Sequence, residues 1–324
     1  MPVSSRPRRV GASRAATVAP PPARSVRGRA ARLGMFATAA ALLVPASATA
    51  YCRTSACPNS VAGAVCTPPA GTDCGTPLFW GKPCLGFSVQ QDASTQVTWA
   101  DADRIASASF NTWLTADCGG GATPAFRAAD LGPVVCTNRE YNQDGGNANL
   151  IVFRDASWPY TNQWNTLALT TVSYNLDTGE IYDADVEINS SDTTLTTGDT
   201  NVQFDLQSIL THELGHVLGL AHSKLSDATM AKLYQMGDTS LRELAADDIK
   251  GICAIYPPVQ AGSPGDPAAC DPSPRRGLQS ECGAFPPTDS GGCSVPKERP
   301  GSGVPSAVPL GLLGLLWGVR RRWR

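Results

Sequence analysis

The sequence predicts an α+β domain in which strands come first and two helices close the chain. Two segments of period-two alternation, "TLALTTVSYN" and "EIYDADVEIN", flank the turn "LDTG" and read as a hairpin. "FDLQSILTHELGHVLGL" (Phe204–Leu220) carries Leu206, Ile209, Leu210, Leu214, Val217 and Leu218 at helical spacing, the pattern of a buried helix. After Pro258 apolar periodicity stops and Pro and Gly dominate, which marks a linker. With 324 residues and 42% hydrophobic content, one sizeable core is expected and a second domain is not required.

Residues 1–50 hold eight arginines and no acidic residue. The apolar run Met35–Ala50 follows the arginines and ends Ala48-Thr49-Ala50, the small-x-small pattern of a signal peptidase site. The run is too short to stay in a bilayer as a span, so an export leader cut near Ala50–Tyr51 is expected. Residues 51–77 are rich in Cys, Pro, Gly and Thr and read as a loop-rich segment pinned by disulfides. The main folded domain is placed at 78–258. There "CLGFSVQ" (Cys84–Gln90) reads as the first strand, and Ala100–Ala116 as a helix capped by Asp101 or Asp103. "PAFRAAD" and "NLIVFRD" read as further strands. On the second hairpin strand Tyr182, Ala184, Val186 and Ile188 share one face, and Ile181, Asp183, Asp185 and Glu187 the other. "SLRELAADDIKGICAIYP" (Ser240–Pro257) reads as the closing helix with Ser240 as its cap. Residues 259–293 form the linker and 294–324 an apolar tail.

Charge is unevenly spread. Residues 51–258 carry 10 Lys and Arg against 23 Asp and Glu, a net of −13, which argues against nucleic acid as a partner. All 11 cysteines lie outside the leader, ten of them between Cys52 and Cys282, enough for five bridges in an oxidising compartment.

The chain has three histidines, all within "HELGHVLGLAH": His212, His216 and His222. His212 and His216 are four apart on a helix and so share one face, close enough to share one ion. Zinc takes imidazole nitrogens at about 2.0–2.1 Å, usually tetrahedrally. His222 reaches the same ion only if the helix ends and the chain turns back, and Gly219 supplies that freedom. Three protein ligands leave one position for water, the mark of a catalytic zinc. Glu213 stands beside the first histidine, where a carboxylate can deprotonate that water and pass the proton to a leaving amine.

The pattern His-Glu-x-x-His-x-x-Gly-x-x-His, followed by Met230 in "SDATMAKLY", resembles the metzincin metallopeptidases. Tyr234 and then "DDIKGICAIY" (Asp247–Tyr256) resemble the matrixin branch. The likeness runs in element order from Leu78 to Pro257, with its sharp motifs in His212–Tyr256. It implies a zincin-like fold, a twisted mixed β-sheet with an active-site helix and a C-terminal helix. It implies one catalytic zinc, a Met230 floor beneath it and Tyr234 lining the pocket for the side chain after the cut bond. It also implies protein or peptide substrates, paired along Leu167–Val172 as an edge strand. Lys232 stands where matrixins often have proline. Matrixins usually hold a second, structural zinc through further histidines; this chain has none to spare, so no such site is expected. Asp183, Asp185 and Glu187 are candidate calcium ligands, because calcium prefers oxygen donors; the other reading is the solvent side of an amphipathic strand. "DCGTP" (Asp73–Pro77) echoes the cysteine switch of matrixin prosegments, but it lies too near the first strand, and a disulfide for Cys74 is favoured.

The last segment combines Cys293, a sixteen-residue apolar run from Val304 to Val319, and Arg320, Arg321, Arg322 and Arg324. It resembles the MYXO-CTERM type of bacterial sorting tail, with Cys293 as the processing point; a permanent single-pass anchor is the alternative. The function expected is an exported zinc endopeptidase, secreted or held at the cell surface or outer membrane. It is expected as a monomer that meets membrane only through the tail. A catalytically inactive adhesion module on the same fold is the alternative, and retention of Glu213 favours the enzyme.

Overall fold

The structure, a computed structural model, describes residues 51–56, 75–160, 166–281 and the strand 306–313, all within the unit Ser47–Arg324. The leader, Cys57, Cys66, Cys74, Cys282, Cys293 and most of the apolar tail lie outside the described residues.

The largest sheet is mixed. Its strands are β1 (Cys84–Val89), β2 (Arg127–Asp130), β3 (Leu150–Phe153), β4 (Thr166–Tyr174), β5 (Glu180–Ile188) and β6 (Ser306–Leu313). The order is β6-β4-β5-β3-β1-β2, with Phe79–Trp80 also pairing β5. β1 runs parallel to β2 and β3, and β3 parallel to β5. β4 is antiparallel to β5, from Ala168↔Ile188 to Tyr174↔Ile181, as the hairpin pattern predicts. From Asp183 to Ile188 every residue of β5 is buried. The acidic face of this strand is therefore buried, not solvated: Glu187 meets Arg139, Arg154 and Tyr160, and Asp185 meets the Leu150 amide of the neighbouring strand.

Three helices complete the domain: α1 (Trp99–Leu114), α2 (Leu206–Val217) and α3 (Ala246–Ile255). The cap of α1 is Thr98, not Asp101 or Asp103. Its hydroxyl accepts the Asp101 amide at 3.2 Å and donates to the Asp101 carboxylate at 2.8 Å, so the Thr-x-x-Asp spacing sets the start one turn earlier. The closing helix also starts later than Ser240. Ser240–Arg242 form a separate 3-10 turn, and α3 begins after Ala245, whose amide is taken by Asp248 at 2.9 Å. Between them the backbone is extended at Glu243 (φ −118°, ψ 146°) and Ala245 (φ −76°, ψ 167°), which interrupts the helical path.

The apolar stripe of α2 packs as its spacing predicts: Leu206, Ile209, Leu210 and Leu218 are fully buried in the core with Trp113 of α1 and Val186 and Ile188 of β5. Cys118–Cys253 ties the loop after α1 to α3, and Cys84–Cys270 ties β1 to the chain after α3. Cys52 and Cys136 are disulfide-bonded as well. The Pro/Gly-rich stretch after Pro258 runs back beside the sheet, where Cys270 O accepts Arg127 Nη2 at 2.7 Å and Arg275 O accepts Asn147 Nδ2 at 2.9 Å.

Candidate metal centre

The site begins with the placement of α2. Its cap, Asp205, is fully buried; one carboxylate oxygen accepts the Ser208 amide at 2.8 Å, and both accept from Arg242. The opposite end is finished from outside the helix. Trp80 Nε1 donates to Val217 O at 2.8 Å and the Tyr256 hydroxyl to Leu218 O at 3.1 Å, so terminal carbonyls that lack helical partners are satisfied. Trp113 Nε1 donates to Thr211 O at 2.7 Å and fixes the helix against α1.

The helix stops where the sequence predicts. Gly219 has φ +98°, and a Cβ there would lie 2.7 Å from Leu78 O. The reversal is held by the first described residues: Thr54 donates its amide to Gly219 O at 3.0 Å, and Cys52–Arg53 pair antiparallel with Leu220–Ala221. His222 is thereby returned to α2.

The three imidazoles converge. Ring centroids are 4.9 Å apart for His212 and His216, 5.2 Å for His212 and His222, and 4.8 Å for His216 and His222. His216 Nε2 and His222 Nε2 are 3.3 Å apart. A tetrahedral ion at about 2.0 Å from each nitrogen needs about that separation. His212 Nδ1 meets Thr229 O at 2.7 Å and His216 Nδ1 meets Leu220 O at 2.9 Å. Donation to those carbonyls leaves each Nε2 lone pair facing inward, as in metal-ligating histidines generally. His212 Nε2 is buried without a partner. Burial lowers the His212 and His216 rings, the latter to about 4, which keeps them in the neutral form a metal requires. The donor set, its spacing and the orphaned nitrogen fit zinc. Among the described residues these three alone bring three His, Cys, Asp or Glu ligand atoms within 4.8 Å of one another.

Glu213 is fully buried beside this cluster. Its Oε2 accepts from Thr170 Oγ1 of β4 at 2.6 Å, while Oε1 has no partner. Burial raises this carboxyl to about 8, against the lowering effect of Thr170. Met230 lies under the helix: a Cβ added to Gly215 would meet its sulfur at 2.2 Å. Tyr234 is buried; its hydroxyl accepts the Asp205 amide at 2.9 Å and donates to Asp238 O at 2.6 Å, joining this turn to the start of α2.

The acidic residues of β5 divide into two groups. Glu187 is neutralised by Arg154, with Nε at 2.7 Å, and accepts from the Tyr160 hydroxyl. Asp183 and Asp185 face each other, each with one buried oxygen lacking a partner, and Asp185 accepts the Leu150 amide at 3.0 Å. Burial first, and mutual repulsion second for Asp183, push both carboxyls well above the usual range.

Several contributors carry no sequence motif. Thr170 is one of several strand threonines, and nothing in its neighbours singles it out. Gly215 and Thr229 sit inside the quoted motifs at positions the metal argument leaves unassigned. Asp248 accepts the amides of Thr229, Met230 and Ala245 and so carries the turn under the site; its place three residues after the helix cap is a signal that capping rules could have found.

Comparisons with known proteins agree with this geometry. The Matrixin family model matches residues 153–257, which include every histidine, Glu213, Thr170, Met230 and Asp248. Neutrophil collagenase of Homo sapiens is 44% identical over 78 residues, 23% of this chain and 17% of that protein. Metalloendoproteinase 5-MMP of Arabidopsis thaliana is 46% identical over 70 residues, 21% and 18% respectively. Matrix metalloproteinase-16 of Rattus norvegicus is 48% identical over 54 residues, 17% and 9%. The matched segment thus spans less than a fifth of the length of these curated relatives. The likeness implies a metzincin fold for this part of the chain and supports a zinc metalloprotease in general.

Proposed function

We propose that this protein is an exported zinc metalloendopeptidase that hydrolyses peptide bonds in proteins. The observation that carries the reading is the pair formed by the inward-facing histidine nitrogens and the unpartnered Glu213 Oε1 beside them. His212, His216 and His222 would hold the ion. When bound there, zinc would supply a Lewis acid for water and for the substrate carbonyl. Glu213 takes the proton from the attacking water and delivers it to the departing amine. Thr170 holds the carboxylate at the edge of β4, where an extended substrate would lie. Met230 forms the floor and Tyr234 the wall beneath the side chain after the cut bond. Disulfide-bonded Cys52, Cys84, Cys118, Cys136, Cys253 and Cys270 support an oxidising compartment.

Glu213→Ala tests the reading. The variant should bind one zinc per chain and lose cleavage of a denatured protein. Cleavage equal to that of the unsubstituted chain would exclude this role. An unsubstituted chain that binds zinc and cleaves nothing would instead favour an adhesion module.

A further inference from the structure

Strand β6 belongs to the apolar C-terminal run, yet it pairs antiparallel along β4, from Ser306↔Tyr174 to Leu313↔Thr166. Without it β4 is the open edge of the sheet. An open edge offers unpaired N–H and C=O groups and accepts an extended chain. β4 is also the strand beside the metal centre: Thr170, paired with Leu310, donates to Glu213. One position further on the ladder breaks. Gly311 pairs with Leu169, pairing resumes at Leu313↔Thr166, and Leu312 is passed over. A peptide bond that is to be hydrolysed must turn its carbonyl out of the ladder, and the interruption adjoins the position aligned with Glu213.

We propose that the tail segment Leu310–Leu313 is a substrate of this protein's own site. Docked on β4, it closes the edge to other peptides until it is cut, within the same chain, at one of the two bonds between Gly311 and Leu313. The inference rests on the metallopeptidase reading. Hydrolysis consumes one water: its oxygen joins the carbonyl carbon, which stays on the body of the chain as a carboxylate. The C–N bond breaks, one water proton reaches the nitrogen through Glu213, the second is taken up by the released amine, and the tail leaves as an ammonium. The 24 residues between Glu281 and Ser306 can span up to about 80 Å when extended, ample for the strand to reach the site from its own chain. The fragment lost carries Arg320, Arg321, Arg322 and Arg324, so the cut separates the acidic body from its basic end.

Two measurements test this. The first is hydrogen exchange on Glu213→Ala, with and without residues 306–324. Amides of β4 that face β6 should exchange about tenfold faster once the tail is deleted; equal exchange overturns the docking. The second is intact mass of the zinc-loaded, unsubstituted full chain. A new C-terminus at Gly311 or Leu312 is expected, at a rate independent of protein concentration and absent in Glu213→Ala. Retention of Arg324 in a sample that cleaves a denatured protein overturns the proposal and leaves the peptidase reading intact. A C-terminus near Cys293, or a rate proportional to concentration, overturns it too. Failure to cut either tail or denatured protein removes the peptidase reading, and this inference with it.

Discussion

Thr170 Oγ1 donates to Glu213 Oε2 at 2.6 Å, joining strand β4 to the carboxylate of helix α2. Both groups are fully buried. The bond leaves Oε1 as the oxygen free to take a proton. A hydrogen bond to the ionised form that takes the proton contributes about 1.5–3 kcal/mol, and about 1.4 kcal/mol corresponds to a tenfold rate change. Thr170→Val keeps the shape and removes the donor. Its kcat should fall roughly ten- to a hundredfold, with KM and zinc content unchanged. Steady-state kinetics with metal analysis check this, and an unaltered kcat would show that Glu213 needs no partner.

The convergence of His212, His216 and His222 was legible in the sequence because its logic is local. A four-residue step on a helix, a glycine that permits reversal and a third histidine leave little freedom in where the imidazoles go. The hairpin and the α2 stripe were legible for the same reason, since period-two and helical patterns were each unbroken. What sequence could not reveal is long-range pairing. Cys52–Arg53 brace the turn from 167 positions away along the chain, by pairing with Leu220–Ala221. Asp183 and Asp185 alternate like solvent-facing residues, and the pattern does not reveal that they end buried, with the Leu150 amide and Arg139 beside Asp185. The start of α3 is not legible because Ser240–Arg242 and α3 read as one helical stretch, while the backbone turns extended at Glu243 and Ala245 between them.

Gly215 stands between His212 and His216 on the face that meets Met230. A Cβ there would lie 2.2 Å from the Met230 sulfur and 2.8 Å from Trp113 Cζ2. Alanine in mid-helix gains about 1 kcal/mol of propensity over glycine, but overpacking a tight core costs about 1–3 kcal/mol. Contacts this short put the balance on the side of the clash. Gly215→Ala should lower both Tm and zinc affinity. Met230→Leu, nearly equal in volume, should cost less than about 1.5 kcal/mol. Thermal melts of the two variants decide, and a neutral Gly215→Ala would show that Met230 can move aside.

Asp183 and Asp185 share a buried site and are held above the usual carboxylate range. A folded value above the unfolded one of about 3.9 gives stability that is complete below that pH and lost as pH rises through the folded value. Glu140 faces Asp183 and adds to the effect; Arg139 and the Leu150 amide face Asp185 and oppose it. Asp183→Asn removes one charge and keeps the shape. With a calcium-selective chelator present, it should melt several degrees above the unsubstituted chain at pH 8, at roughly 2–4 °C per kcal/mol, and converge with it near pH 4. A lower midpoint at pH 8 would mean that the pair is stabilised as anions. Calcium in excess should then raise the midpoint of the unsubstituted chain alone if the pair serves as a cation site.

Gly219 carries the reversal that returns His222 to α2, and two costs attach to any side chain there. The backbone angle, φ +98°, is one that L residues rarely adopt, and strain of this kind costs about 1–3 kcal/mol. The Cβ would also sit 2.7 Å from Leu78 O, a backbone atom held by its own pairing and unable to rotate away. Gly219→Ala therefore relaxes by shifting Leu220, whose carbonyl anchors His216 and whose strand position sets His222. Two of the three converging imidazoles move together, whereas His212 stays fixed by Thr229. Zinc affinity should fall by at least about tenfold, and competition with a chromogenic chelator reads that directly. The α2 helix itself should persist, because its cap at Asp205 and its buried stripe are untouched. Unchanged affinity in this variant would mean that the histidines converge without the left-handed turn.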